Sequence, residues 1–116
     1  MTAPLPDPRA IRIAENESHF RSINERLEGD LEQYASPGEE LEFVCECGRD
    51  ACRDRLALSV ERYEAVRADA RWFAVVPGHQ IPDVEDVVSD HGSHLVVQKH
   101  APTTPIAESL DSRHQS

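Results

Sequence analysis

Cys45, Cys47 and Cys52 fall inside one short window, Cys-Glu-Cys-Gly-Arg-Asp-Ala-Cys, and the chain has no other cysteine. Free cysteine is good core filler, but Glu46, Gly48, Arg49 and Asp50 make this window a polar loop, a poor place for a core. Soft thiolates grouped on one tight loop are instead the usual protein ligands of a four-coordinate metal, zinc before others. A redox-active thiol set is the remaining alternative. Gly48, directly after Cys47, is where a metal knuckle is expected to need an unusual φ, so that backbone N–H groups turn toward the sulfurs. Arg49, Arg53 and Arg55 are expected to offset the excess negative charge of three thiolates around one divalent ion.

Three cysteines leave one position of a tetrahedron to fill, and histidine is the common fourth donor. The chain offers His19, His79, His91, His94, His100 and His114. His79 is the first choice, because Pro77-Gly78 presets the backbone before it, and an ordered ligand loses less entropy on binding. His91 and His94, on either side of a turn, are second choices, and Asp50 or a water stays open. His19 reads as a helix-surface residue, and His100 and His114 lie near the chain end.

A staple of this kind suits the composition. The 116 residues are one domain's worth, with 39% hydrophobic and only 5% aromatic residues. A core that small is commonly reinforced by a metal or a disulfide. An odd cysteine number and no apolar stretch of signal-peptide type near the N-terminus speak against a disulfide framework. No run approaches the ~18 apolar residues of a membrane span. The expectation is a soluble, cytoplasmic protein with no membrane association. A formal net charge of −10, with Lys99 the only lysine, excludes the broad cationic surface from which nucleic-acid binders draw affinity.

The pattern along the chain predicts an α+β fold: a long N-terminal helix packed on a small antiparallel sheet, with the metal loop at a hairpin tip. Asp7-Pro8 is a helix start. Ile13, Phe20, Leu27 and Tyr34 recur every seven residues, with Ile23 and Leu31 on the same side, and this face is expected to pack on the sheet. Asn16, Glu17, Arg21, Asn24 and Glu25 are expected to form a solvated face, Glu17 and Arg21 pairing at i,i+4. Leu41–Val44 and Arg55–Leu58 read as the hairpin arms, Val60–Ala68 as a short helix capped by Ser59, and Trp72–Val76 as a third strand. Val84–Val88 and Leu95–Lys99 close the fold as a second hairpin. Residues 1–8 and 101–116 are expected to lack structure, leaving 9–100 as the domain.

The residues Glu15-Asn16-Glu17, Phe20-Arg21 and Asn24-Glu25, the Cys-x-Cys-x4-Cys loop, Tyr63-Glu64 with Arg67, and Pro77-Gly78-His79 together resemble a group of small bacterial proteins, chiefly actinobacterial. The likeness runs from about Glu15 to Lys99. It implies His79 as the fourth ligand and implies no activity. The chain shows no Gly-rich phosphate loop, no Gly-x-Ser-x-Gly and no His-Glu-x-x-His, and three thiolates make a poorly Lewis-acidic zinc. The expectation is therefore a non-enzymatic, zinc-stapled module that binds a protein partner, as a monomer or weak homodimer. A thiol redox sensor that releases zinc on oxidation is the alternative, with a metalloenzyme behind it.

Overall fold

A computed structural model describes residues 7–114. Helix α1 spans Pro8–Leu31; the Asp7 side chain accepts from the Arg9 N–H at 2.8 Å and Pro8 occupies the first turn. Strands β1 (Glu40–Val44) and β2 (Arg55–Ser59) form an antiparallel hairpin in the register Glu40↔Ser59 to Val44↔Arg55. Ser59 then caps α2 (Val60–Val66), its hydroxyl accepting from Arg62 N–H. Strands β3 (Trp72–Val75), β4 (Glu85–Asp90) and β5 (Leu95–Lys99) make a second antiparallel sheet in the order β3-β5-β4. The architecture is the α+β arrangement expected, with the cysteine loop between β1 and β2, but the sheet is split in two.

One residue stitches the two sheets. As the chain leaves β1, the Glu46 N–H donates to Ala74 O at 2.8 Å, and the Glu46 carboxylate accepts from Ala74 N–H at 3.0 Å. Strand alternation then gives β3 and β5 two buried faces. Ala74 and Val96 join Phe43, Leu56, Leu58, Tyr63 and Val66, with the Phe43 and Tyr63 rings stacked at 4.7 Å. Phe73, Val75, Leu95 and Val97 pack with Ala107, Cys45 and Cys47 on the other side.

The expected orientation of α1 is reversed. Of the expected apolar row only Ile13 is buried, against Ile81 and Val84; the rest of the buried stripe is Ala14, Glu17, Ser18, Arg21, Asn24 and Glu28, a largely polar set at helical spacing. Phe20, Ile23, Leu27 and Leu31 are only half-buried, and Tyr34, beyond the helix, is 79% exposed. Buried polar groups persist only when partnered, and here nearly every one has a partner from a distant segment. Lys99 Nζ donates to Glu17 at 2.7 Å with both side chains fully buried. Arg21 donates to Ala70 O and Ala107 O and lies 4.5 Å from the centre of the Phe73 ring. It makes no pair with Glu17. The Asn24 amide brackets the outer edge of β1, accepting from Val44 N–H and donating to Val44 O, both at 2.8 Å.

Nor is the segment after residue 100 a structureless tail. Ala101–Thr103 is a 3-10 turn, α3 spans Thr104–Ser109, and a second 3-10 turn covers Ser112–His114. Its polar sequence is ordered by ion pairs: Asp111 with the buried Arg67, and Arg113 with Glu25 and Glu64. At the other end, Pro8 is helical, and the expectation for residues 1–6 lies outside the described residues, as do 115 and 116.

Candidate metal centre

The loop between β1 and β2 and the turn after β3 meet at the sulfurs. Cys45, Cys47, Cys52 and His79 place one donor atom each within 4.8 Å of all the others. His79 Nδ1 stands 3.6 Å from Cys45 Sγ, 3.7 Å from Cys47 Sγ and 3.5 Å from Cys52 Sγ. Two of the thiols, Cys45 and Cys47, are buried, and Cys52 is partly open. This is a Cys3His group at metal-binding distance.

Local chemistry explains the convergence. Pro77-Gly78 makes the turn, with Gly78 at φ +96° and His79 N–H closing on Val76 O at 2.9 Å; the positive φ suits the third position of a type II turn. The ring is then oriented from its far side, where Nε2 lies 3.2 Å from Asp54 Oδ2. That contact directs Nδ1 toward the sulfurs and fixes the tautomer, the usual role of a carboxylate behind a metal-ligating imidazole. Opposite it, Val76 N–H donates to Cys45 Sγ at 3.2 Å. Backbone N–H groups of Arg49 and Asp54 similarly favour thiolate at Cys47 and Cys52.

Without a cation the thiols share their protons unevenly. A hydrogen bond from Cys45 pulls Cys47 down to about 5, while giving that bond, together with burial, pushes Cys45 far up. A divalent ion at the centre would release all the protons, since bound cysteine ligates as thiolate.

Two expectations about the loop need correction. The arginines do not reach the sulfurs: Arg53 donates to Asp50 O and Cys52 O, Arg55 pairs with Glu42, and Arg49 contributes its backbone N–H. Compensation comes from backbone dipoles, which a β-strand end and a tight loop supply without long side chains. Gly48, in turn, is not among the glycines with positive φ, which are Gly38, Gly78 and Gly92. It is needed for room. A Cβ there would sit 2.3 Å from Ile13 Cγ2 and 3.0 Å from Ile13 O, so α1 rests directly on the loop backbone.

The other candidates lie elsewhere. Asp50 accepts from Asn16 and Arg12, tying the loop to α1. His91 and His94 stack on each other at 4.6 Å in the β4–β5 turn, His100 pairs with Asp86, and His19 is exposed on α1. Sequence reasoning missed Asp54 and Glu46. Asp54 carried no signal beyond lying two residues after Cys52. Glu46 did carry one: a residue between two ligands in a Cys-x-Cys must point away from the metal, and here that direction is the core.

Glu46 is fully buried and accepts from Asn24 Nδ2 at 2.8 Å, Ala74 N–H and, at 3.4 Å, the Tyr63 hydroxyl, with Arg21 and Arg67 supplying positive charge nearby. Burial raises its carboxyl above the usual range against these interactions. No helix among the described residues is long and apolar enough to cross a membrane. Compared with family models, curated proteins and solved structures, the chain finds no match in any of them.

Proposed function

We propose that Cys45, Cys47, Cys52 and His79 bind one zinc ion as a closed, structural Cys3His site, and that the protein is a non-enzymatic binding module held in shape by that ion. The observation that carries this reading is the spacing of the four donors. Zinc bonds of about 2.3 Å to sulfur and about 2.0–2.1 Å to nitrogen, at tetrahedral angles, require N···S separations of about 3.6 Å. The distances from His79 Nδ1 are 3.5–3.7 Å to all three sulfurs. A complete set of four protein donors leaves no open coordination position for a substrate, which supports a structural over a catalytic role. The half-buried apolar row Phe20, Ile23, Leu27 and Leu31 supports a role in binding another protein. The overall acidity disfavours nucleic acid as that partner.

Metal analysis of the purified chain tests the site. One zinc per chain is expected, lost in Cys47→Ser and bound much more weakly in His79→Ala. A chain that folds cooperatively with no bound metal refutes the reading, as does a His79→Ala variant with full zinc affinity.

A further inference from the structure

A cleft that includes none of the four candidate metal ligands has the lining of a ligand site. It opens between the β2–α2 junction and the β4–β5 turn, and has two chambers of about 550 and 210 Å³ that share Arg62, His91 and His94 in their walls. The larger chamber is polar, with Ser59 and Ser93 in its lining and Glu40 at its β1 side. The smaller is mainly apolar, with Val66, Trp72 and Val96.

Of the polar groups shared by the two chambers, the two histidine rings are held in place, and Arg62 is exposed and unpaired among the described residues. Arg62 makes no ion pair among the described residues, although the chain carries many more acids than bases. The His91 ring is fixed by Ser89 Oγ at 3.0 Å from Nε2 and by stacking on His94. His94 is 2% exposed; its Nδ1 meets Ser93 Oγ at 3.2 Å, and its Nε2 has no partner. A buried ring nitrogen without a partner costs free energy, and a cation without a counter-ion in a concave site is a recognition element for an anion.

We propose that this cleft binds a small organic anion with an apolar body, its carboxylate or phosphate group on Arg62 beside the His91–His94 stack and its apolar part against Trp72, Val66 and Val96. The proposal is independent of the metal centre. Arg62 supplies charge and a planar fork of donors, which suits both kinds of oxyanion. The larger chamber, about 550 Å³, falls within the about 300–1,000 Å³ of small-molecule sites, and the smaller, about 210 Å³, extends it. The apolar chamber favours a ligand with a hydrocarbon body over a bare inorganic ion.

Trp72 is the only tryptophan in the chain, so its fluorescence reports on the cleft. The metal-loaded protein is titrated with phenyl phosphate, benzyl alcohol and inorganic phosphate. A saturable Trp72 response to phenyl phosphate is expected, with both other probes binding about tenfold or more weakly. Arg62→Ala should weaken phenyl phosphate by at least about tenfold, while Arg53→Ala, which lines neither chamber, should leave it unchanged. Amide shifts in a nitrogen-15 spectrum should concentrate at Arg62, His91 and Ser93. No saturable response up to about 10 mM, an Arg62→Ala variant that binds as the wild type does, or benzyl alcohol binding as well as phenyl phosphate would each overturn the proposal.

Discussion

Replacing Glu46 with alanine should damage the fold and the metal centre together. The substitution removes an acceptor that takes Asn24 Nδ2 at 2.8 Å and Ala74 N–H at 3.0 Å, plus the weaker Tyr63 contact at 3.4 Å. Hydrogen bonds to a charged group contribute about 1.5–3 kcal/mol each, so the two short ones amount to about 3–6 kcal/mol. The cost of burying the carboxylate offsets part of this, as its raised proton affinity shows. Leaving Arg21 and Arg67 with less counter-charge works in the other direction. A net loss of about 3–4 kcal/mol is expected, a large share of the 5–15 kcal/mol typical of a domain.

Urea unfolding at a fixed, buffered free-zinc concentration, followed by Trp72 fluorescence, reads this loss. Because Cys45 and Cys47 flank Glu46, zinc affinity against a chromophoric chelator should fall at least about tenfold, equivalent to 1.4 kcal/mol. Glu46→Gln, which retains one acceptor oxygen, should fall between wild type and alanine. A Glu46→Ala variant within about 1 kcal/mol of wild type would refute the idea that this carboxylate joins the two sheets.

Three further perturbations test other parts of the structure. Gly48→Ala forces Ile13 and the α1 backbone away from the loop and should cost about 1–3 kcal/mol; an unchanged urea midpoint would show the contact to be slack. Burial first, then Glu85, hold Glu17 well above the usual carboxylate range, outweighing Lys99. A raised folded pKa adds stability below the unfolded value of 4.5 and loses it as pH rises. Glu17→Gln should therefore gain on wild type from pH 5 to 8. Lys99→Met, which strands the carboxylate, should lose about 3–5 kcal/mol at pH 8 and less at pH 5, and parallel pH profiles for the three proteins would contradict this. His94 is lowered to about 4 by burial, then by His91 and Arg62, with Asp90 opposing. A depressed histidine contributes stability above the unfolded value of 6.5 that is lost as pH falls toward 4, on the order of 3 kcal/mol over the whole window. His94→Phe should show a shallower decline between pH 7 and 5.5 in the same unfolding assay, and equal slopes would count against it.

The Cys3His cluster was legible because its chemistry is local. A Cys-x-Cys-x4-Cys loop states its own ligand type, and Pro77-Gly78 fixes the direction of His79 through a turn that depends on two residues. The strands were legible for the same reason: Leu95–Lys99 matches its predicted bounds, and Ser59 caps α2 through a three-residue contact. Helix α1 was misread because an apolar period and a polar period coexist along it. Glu17, Arg21, Asn24 and Glu28 recur at the same spacing as Phe20, Ile23, Leu27 and Leu31. Hydrophobicity favours the second row, and the first wins because its partners arrive from Lys99, Val44, Glu46, Ala70 and Ala107. Those pairings lie between 20 and 86 residues away, where a pattern read along the chain has no access. The segment after His100 was misread for a related reason. Its composition is that of a linker, and it is Arg67, Glu25, Glu28 and Glu64 that make Asp111 and Arg113 structural.

The Asn24 amide has a consequence for how the protein behaves in a crowded solution. A two-stranded hairpin presents two raw edges, and an open edge is a template on which other chains can stack. Along the outer edge of β1, the main-chain groups of Val44 are taken by one side chain from α1, and the N–H of Glu46 is taken by Ala74. The end of the strand nearest the cysteines is thereby sealed without a further strand. A helix amide serving as a strand-end stopper keeps this tip from recruiting neighbouring molecules, and because the same amide holds the buried Glu46 carboxylate, its loss would open the edge to aggregation and lower the melting point together.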